Sequence, residues 1–453
     1  MKPYSELPST GKNWLKSVRA FSKDSWGALK HWQSEYGDLF HLNLGIGSTH
    51  VCGHPDLIDE VLTKQKHNFR KGNIYSNILP KLGGYGLLNS DGDLWKKQRK
   101  LAQPAFHKKY LATIFSHMIE VVDKTLTQIS DRAEEKGQVA WNEEMINLTL
   151  QVVMQSLIGT EVKESAEKMH NMMDETLTHL LNLRFNPIYK FTHKLAGKDR
   201  RFNRQKAYLD EIIMGIIQHR RETGNEDRWD LMAMFMEAMD EDTNEQMDDD
   251  QLKDELITLF LAGHETSAAG LTWAMAFLGS RPEVVQNIRE EADRIFTTGL
   301  PTYEQLWQMQ YTKSVIDESL RLKPPVWSVA RHSLVPVELG GYEIPGDQEF
   351  MLPIMLIHHH PDFWENPMEF QAERFMNGVP SGNRKAFIPF GAGPRMCIGN
   401  NFAYAEMIAT LGMAAQRFDL AVENPDIAGV ATLSYRPGER LWVKMKARKP
   451  VYA

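Results

Sequence analysis

The chain has 453 residues, 42% of them hydrophobic and 25% charged, with a formal net charge of −7 and two cysteines. Two cysteines in so long a chain exclude a disulfide scaffold and suit a reducing, cytoplasmic setting. The negative balance excludes bulk nucleic-acid binding. Met1–Glu6 carries no apolar run, so neither a leader nor a membrane anchor is expected in this chain. No repeat or low-complexity linker divides it, and the reading is a single domain over 1–453, mainly α with a small β region.

In chain order, strand-like segments flank Gly45 (39–44, then 50–52), and Cys52 reads as a small buried residue in an apolar strand. Trp95 and Arg99 stand four apart on one helix face, so an indole N–H and a guanidinium could donate to one carboxylate. The acidic run Asp240 to Asp250 is the sharpest shift in composition and reads as a solvated loop. A long apolar helix is expected from about Asp250 to Leu278, favoured by Asp248–Asp250 and ended by Gly279 and Pro282. His264 and Glu265 at its centre make a membrane span costly, so it reads as the central helix of a large protein.

That centre, Leu261-Ala262-Gly263-His264-Glu265-Thr266-Ser267, has the makings of a site. Ala262 and Gly263 would leave a notch for a small molecule. Thr266 can bond back to the preceding turn or open it around a water, and Glu265 can carry protons. Further on, Glu318 and Arg321 share one helix face, stopped by Pro324-Pro325. Arg331 precedes a strand, and strands are expected over 335–344 and 441–445, bounded by Gly340-Gly341 and Pro345-Gly346.

The most specific stretch is Phe390-Gly391-Ala392-Gly393-Pro394-Arg395-Met396-Cys397-Ile398-Gly399, with a helix-like segment from Asn400 to Met413 behind it. A cysteine just ahead of a helix N-terminus can be held as thiolate by the dipole. Glycines let the backbone approach a flat group, and Arg395 is a fixed cation. A thiolate, a close backbone and a cation suit a haem with sulfur on its iron and two propionates.

These residues resemble the cytochrome P-450 family. The stretch Phe-x-x-Gly-x-Arg-x-Cys-x-Gly looks like its haem-binding loop, and Ala-Gly-x-Glu-Thr, Glu-x-x-Arg and Trp-x-x-x-Arg follow in family order between Tyr36 and Lys446. The resemblance implies the cytochrome P-450 fold, with haem b between the long central helix and the cysteine loop and helix. Strands would lie mainly in about 36–55, 330–350 and 430–446. It implies Cys397 as the iron ligand, with Phe390 and Gly399 shaping its loop. Ala262 and Gly263 would lie over the haem, and Glu265 with Thr266 would deliver protons for oxygen activation. Trp95, Arg99, Arg395 and Arg331 would hold the propionates, and Glu318, Arg321 and Arg374 would support the loop. The family's usual proline is replaced by Ala372.

The pocket implied is 74–88 with Leu88, then Leu259, Val326, Trp327 and Leu433. These residues suit an apolar or amphipathic small molecule, hydroxylated with O2. Electrons would come from a separate ferredoxin or flavodoxin with its reductase. Lys96, Lys97, Arg99, Lys100, Lys108 and Lys109, with Arg384, Lys385 and Arg395, would steer that donor. Leu322-Lys323-Pro324-Pro325, Gly393-Pro394-Arg395 and His359-His360-Pro361-Asp362 resemble the broad class that includes eukaryotic members and bacterial fatty-acid hydroxylases, while the absence of an anchor leans toward a soluble bacterial protein, expected as a monomer. A peroxide-using or rearranging enzyme, and a haem sensor or carrier, stand as alternatives; the intact Glu265-Thr266 pair counts against both.

Overall fold

The computed structural model describes residues 2–45, 47–159, 166–185, 189, 192–194, 196–225, 228–240, 244–297 and 299–448. Positions 241–243 of the acidic run lie outside the described residues. Four helices matter for the site: α1 (Gly92–Ala102), α2 (Asp249–Leu278), α3 (Gln310–Leu322) and α4 (Asn400–Arg417). The chain forms two compact units, one of Met1–Gly72, Asp123–Met145 and Thr266–Ala453, the other of Asn73–Val122 and Ile146–Glu265. The boundary therefore falls inside α2, between Glu265 and Thr266.

The first unit carries the sheets. Strands β1 (Leu39–Leu42), β2 (Thr49–Cys52), β3 (Phe69–Lys71), β4 (Val329–Ser333) and β5 (Glu349–Leu352) form one sheet in the order β1-β2-β5-β4-β3. Only β2 and β5 run parallel; the other neighbours are antiparallel. Period-two alternation buries Phe350 and Leu352 completely beside Ile357, Phe69 and Leu62. Cys52 is fully buried in β2, and that burial pushes its thiol pKa far up. A second sheet joins Val139–Ala140, Trp442–Ala447 and Phe418–Val422. Strands at β3 and 418–422 were not expected: each is too short or too irregular in its apolar spacing to register as periodic.

α3 is deeply set in this unit, with every residue from Ser314 to Leu322 buried. The second half of α2 packs on α4 so closely that a Cβ on Gly270 would lie 2.9 Å from Met407 Sδ. Trp273, one turn on, donates its indole N–H to Tyr435 O at 3.1 Å.

In the second unit, Asp248 Oδ1 caps α2 by accepting the Gln251 N–H at 2.7 Å. The acidic stretch before it is not simply solvated. Asp240 is buried, and Met239 forms a β-bridge with Gln246. The stretch expected as a pocket loop, 74–88, is mostly helical turns, Ile74–Ile78 and Pro80–Gly83, followed by a glycine-rich crossing. Among the described residues, no helix is long and apolar enough to cross a membrane.

Candidate active site

Cys397 is set by its own loop. Its N–H donates to Phe390 O at 2.9 Å, which folds 390–397 back on itself. Gly391 and Gly393 take φ values of +74° and +69°, a region that L side chains disfavour. At Gly393 a Cβ would also collide with the Leu62 carbonyl oxygen. At Gly391 a Cβ would meet nothing within 4 Å, so the backbone there borders open space. Gly399 sits at φ −92°, so no left-handed turn demands glycine there. A short turn over Gly393–Arg395 then presents Cys397, exposed, three residues ahead of α4.

Behind the loop stands a buried polar frame. The Phe390 ring packs on Tyr404 of α4, with centroids 5.0 Å apart. Tyr404 O–H donates to Asp317 Oδ1 at 2.5 Å, and Lys313 Nζ donates to Asp317 Oδ2 at 2.6 Å. Burial raises the Asp317 carboxyl above its ordinary range and pushes the Tyr404 phenol up as well. Next along α3, Arg321 and Glu318 are both 0% exposed and joined at 2.7 and 2.8 Å. Arg321 also donates to His358 O, Pro367 O and Glu369 O, while Arg374 Nε reaches Glu318 Oε1 at 3.2 Å. The pair is thus fully hydrogen-bonded, the condition under which buried charges are tolerated.

Cations converge on strand β3. The register places Lys71 directly opposite Arg331 on β4, and both are buried, at 7% and 8% exposure. Arg395 donates to Phe69 O at 3.3 Å, two residues away on β3. Three cationic side chains grouped in this way can donate to an anionic group. A group with two carboxylates, borne on a flat ring above Cys397, suits that donor set. Lys71 was missed from the sequence; nothing about a lysine in a three-residue strand announces burial.

On α2, Glu265 and Thr266 are adjacent and half-buried, and Ala262 is exposed. Gly263 departs from the expected notch. A Cβ there would lie 2.8 Å from Val153 Cγ2, so its smallness serves helix packing. One turn from Val153, Thr149 donates its hydroxyl to His264 O at 2.9 Å. These two contacts grip the centre of α2 from one face. The His264 ring bonds Phe260 O at 2.7 Å and stays buried. In the first unit Glu406 of α4 is fully buried, neither of its carboxyl oxygens has a hydrogen-bond partner among the described residues, and burial raises its carboxyl to about 8.

Trp95 and Arg99 lie one turn apart on α1, both half-buried. Leu88 and Leu259, in the second unit, and Val326 and Leu433, in the first, are half-buried apolar side chains. Trp327 is buried, with its indole N–H donated to Thr432 O at 3.0 Å. The basic cluster needs correction. Lys96 pairs with Asp93 at 2.8 Å, Lys97 with Glu245 at 2.5 Å and Lys100 with Asp240 at 3.1 Å. Lys385 pairs with Asp56 at 2.9 Å and Asp59 at 3.1 Å. Much of the expected steering charge is therefore opposed locally.

Residues 8–429 match the cytochrome P450 family. The chain is 31% identical to cyclooctat-9-en-7-ol 5-monooxygenase of Streptomyces melanosporofaciens, over 85% of this chain and 83% of that protein. It is 30% identical to a cytokinin hydroxylase of Arabidopsis thaliana, over 92% of this chain and 82% of that protein. It is 26% identical to cytochrome P450 97B2, chloroplastic, of Glycine max, over 93% of this chain and 83% of that protein.

Proposed function

The chain belongs to the cytochrome P450 family and is a monooxygenase with that family's haem-thiolate cofactor; from that premise we propose that it hydroxylates an apolar or amphipathic small molecule. The cofactor is haem b, held by Cys397 through its sulfur. The convergence of Lys71, Arg331 and Arg395 on strand β3 carries this reading, because it supplies the charge that two propionates need. The family resemblance assigns Trp95 and Arg99 of α1 to the same role. Phe390, Gly391 and Gly393 keep the backbone close to the ring, and the family resemblance assigns Ala262 to its other side.

When bound, the haem activates dioxygen with two electrons, and a thiolate ligand favours O–O cleavage. This chain's own residues handle the protons and the substrate. The Glu265 carboxyl holds a proton and the Thr266 hydroxyl passes it toward dioxygen. Val326 and Leu433 offer apolar side chains that would exclude water and meet an apolar substrate, and the family resemblance adds Leu88 and Leu259 to that role. Trp327 backs that lining from the core. The acid–alcohol pair supports monooxygenation over peroxide use or rearrangement. Electrons come from a separate ferredoxin or flavodoxin with its reductase, and the enzyme works as a cytoplasmic monomer.

The test has two parts. Reduced protein under carbon monoxide should show the red-shifted band of a thiolate ligand, and Cys397→Ser should lose both that band and hydroxylation. A mutant that keeps both removes Cys397 from the iron. A screen of lipophilic compounds by haem absorbance then reports which substrates displace water from the iron.

A further inference from the structure

Between the helical turns at 74–83 and α1, the chain crosses α2 as Gly83-Gly84-Tyr85-Gly86-Leu87. Two carboxylates of α2 hold this crossing by its main chain. Asp254 Oδ2 accepts the Tyr85 N–H at 2.7 Å, and Glu255 Oε2 accepts the Leu87 N–H at 2.9 Å. Two amides complete the grip: Gln98 Nε2 donates to Tyr85 O at 2.7 Å, and Asn89 Nδ2 donates to Gly84 O at 3.0 Å. Glu255 is 1% exposed, and a carboxylate so deep is tolerated only where hydrogen bonds repay its lost hydration.

The glycines make the approach possible. Gly84 has φ +58°, and a Cβ there would run into the Asp254 carboxyl group. At Gly86 a Cβ would strike the Thr258 side chain and lie 2.5 Å from Asp254 O. The main-chain bonds do not depend on which side chains the crossing carries. They fix its register, however, and so send Leu87 into the core, leave Leu88 half-buried and turn Tyr85 out at 55% exposure. Leu259 lies one turn beyond Glu255 on α2.

We propose that Asp254 and Glu255 are positioning residues, a double carboxylate latch that clamps 83–88 against α2 and thereby sets how fast substrate enters. This rests on the reading above that 74–88 covers the substrate. Each bond from a main-chain N–H to a carboxylate shifts the open–closed balance of the crossing by about tenfold. Losing either carboxylate should open the crossing to that extent.

The test uses Glu255→Ala and Asp254→Ala, the conservative Glu255→Gln and Asp254→Asn, and Gly86→Ala, which pushes the crossing off the Thr258 side chain and the Asp254 main chain while leaving both carboxyl groups in place. Amide hydrogen exchange over 84–88 reads the latch, and stopped-flow binding of 4-phenylimidazole to the haem reads entry. The alanine variants should exchange about tenfold faster at Tyr85 and Leu87, with association faster by a similar factor. Glu255→Gln and Asp254→Asn keep an acceptor oxygen and should stay near wild type. If Glu255→Ala does not fold, Gly86→Ala carries the same expectation. Unchanged exchange overturns the latch, and faster exchange with unchanged association overturns its control of entry. Failure of the functional reading looks different: wild-type protein would lack the thiolate band and any absorbance response to the probe.

Discussion

Arg321→Ala removes the most heavily bonded side chain behind the cysteine loop. Its guanidinium is fully buried, donates to both Glu318 oxygens and to three main-chain carbonyls, and lies 5.1 Å from the Trp364 ring centre. Among the described residues, truncation leaves the Glu318 carboxylate in the core with the Gln371 N–H and Arg374 Nε as its donors. Breaking a buried pair costs about 3–5 kcal/mol. Three stranded carbonyls add about 1 kcal/mol each. The sum, roughly 6–8 kcal/mol, is comparable with the whole stability of an ordinary domain, about 5–15 kcal/mol. Arg321→Ala should therefore not accumulate as folded haem protein.

Arg374→Ala is the internal control. It loses one bond to Glu318 and one to Glu365 O, should cost about 1–2 kcal/mol, and should fold. Arg321→Lys keeps the charge but not the planar fork, and should fall between them. Soluble yield, urea unfolding and the reduced carbon monoxide band measure the series. If Arg321→Ala unfolds within about 1 kcal/mol of Arg374→Ala, the buried pair is not what holds the loop.

Thr266→Ala should still bind haem and consume electrons, but product should fall by about tenfold or more as hydrogen peroxide rises; unchanged coupling removes Thr266 from proton delivery. Glu406 keeps its proton in the folded protein up to about pH 8, against an ordinary value of 4.5. Its contribution is whole below the lower value and is lost as pH rises toward the upper one, at up to about 1.4 kcal/mol per pH unit. Glu406→Gln should flatten the urea midpoint across that window, and a curve parallel to wild type would refute the raised value. Because Lys96, Lys97 and Lys100 already face acids, reversing them to glutamate should slow reduction by a ferredoxin or flavodoxin by less than about threefold, even at low salt. A larger, salt-sensitive fall would restore them as the docking face.

Some arrangements were legible in the chain because they are local. The cysteine loop, the Glu265-Thr266 pair and the Glu318–Arg321 pair each lie within one loop or turn, where spacing alone dictates which groups can meet. The length of α2 was legible for the same reason, since apolar periodicity, caps and a terminal glycine act over a few residues. What tertiary structure decided is the environment of those groups. Lys71 faces Arg331 because of strand register, Gly263 is filled by Val153, and Lys97 is opposed by Glu245, 148 positions away. Glu406 keeps its proton because α2 and α4 close over it, and the 84–87 crossing is pinned by acids 168 or more positions later in the chain. Burial and long-range pairing are properties of packed helices and registered strands, and no period or motif within one segment encodes them.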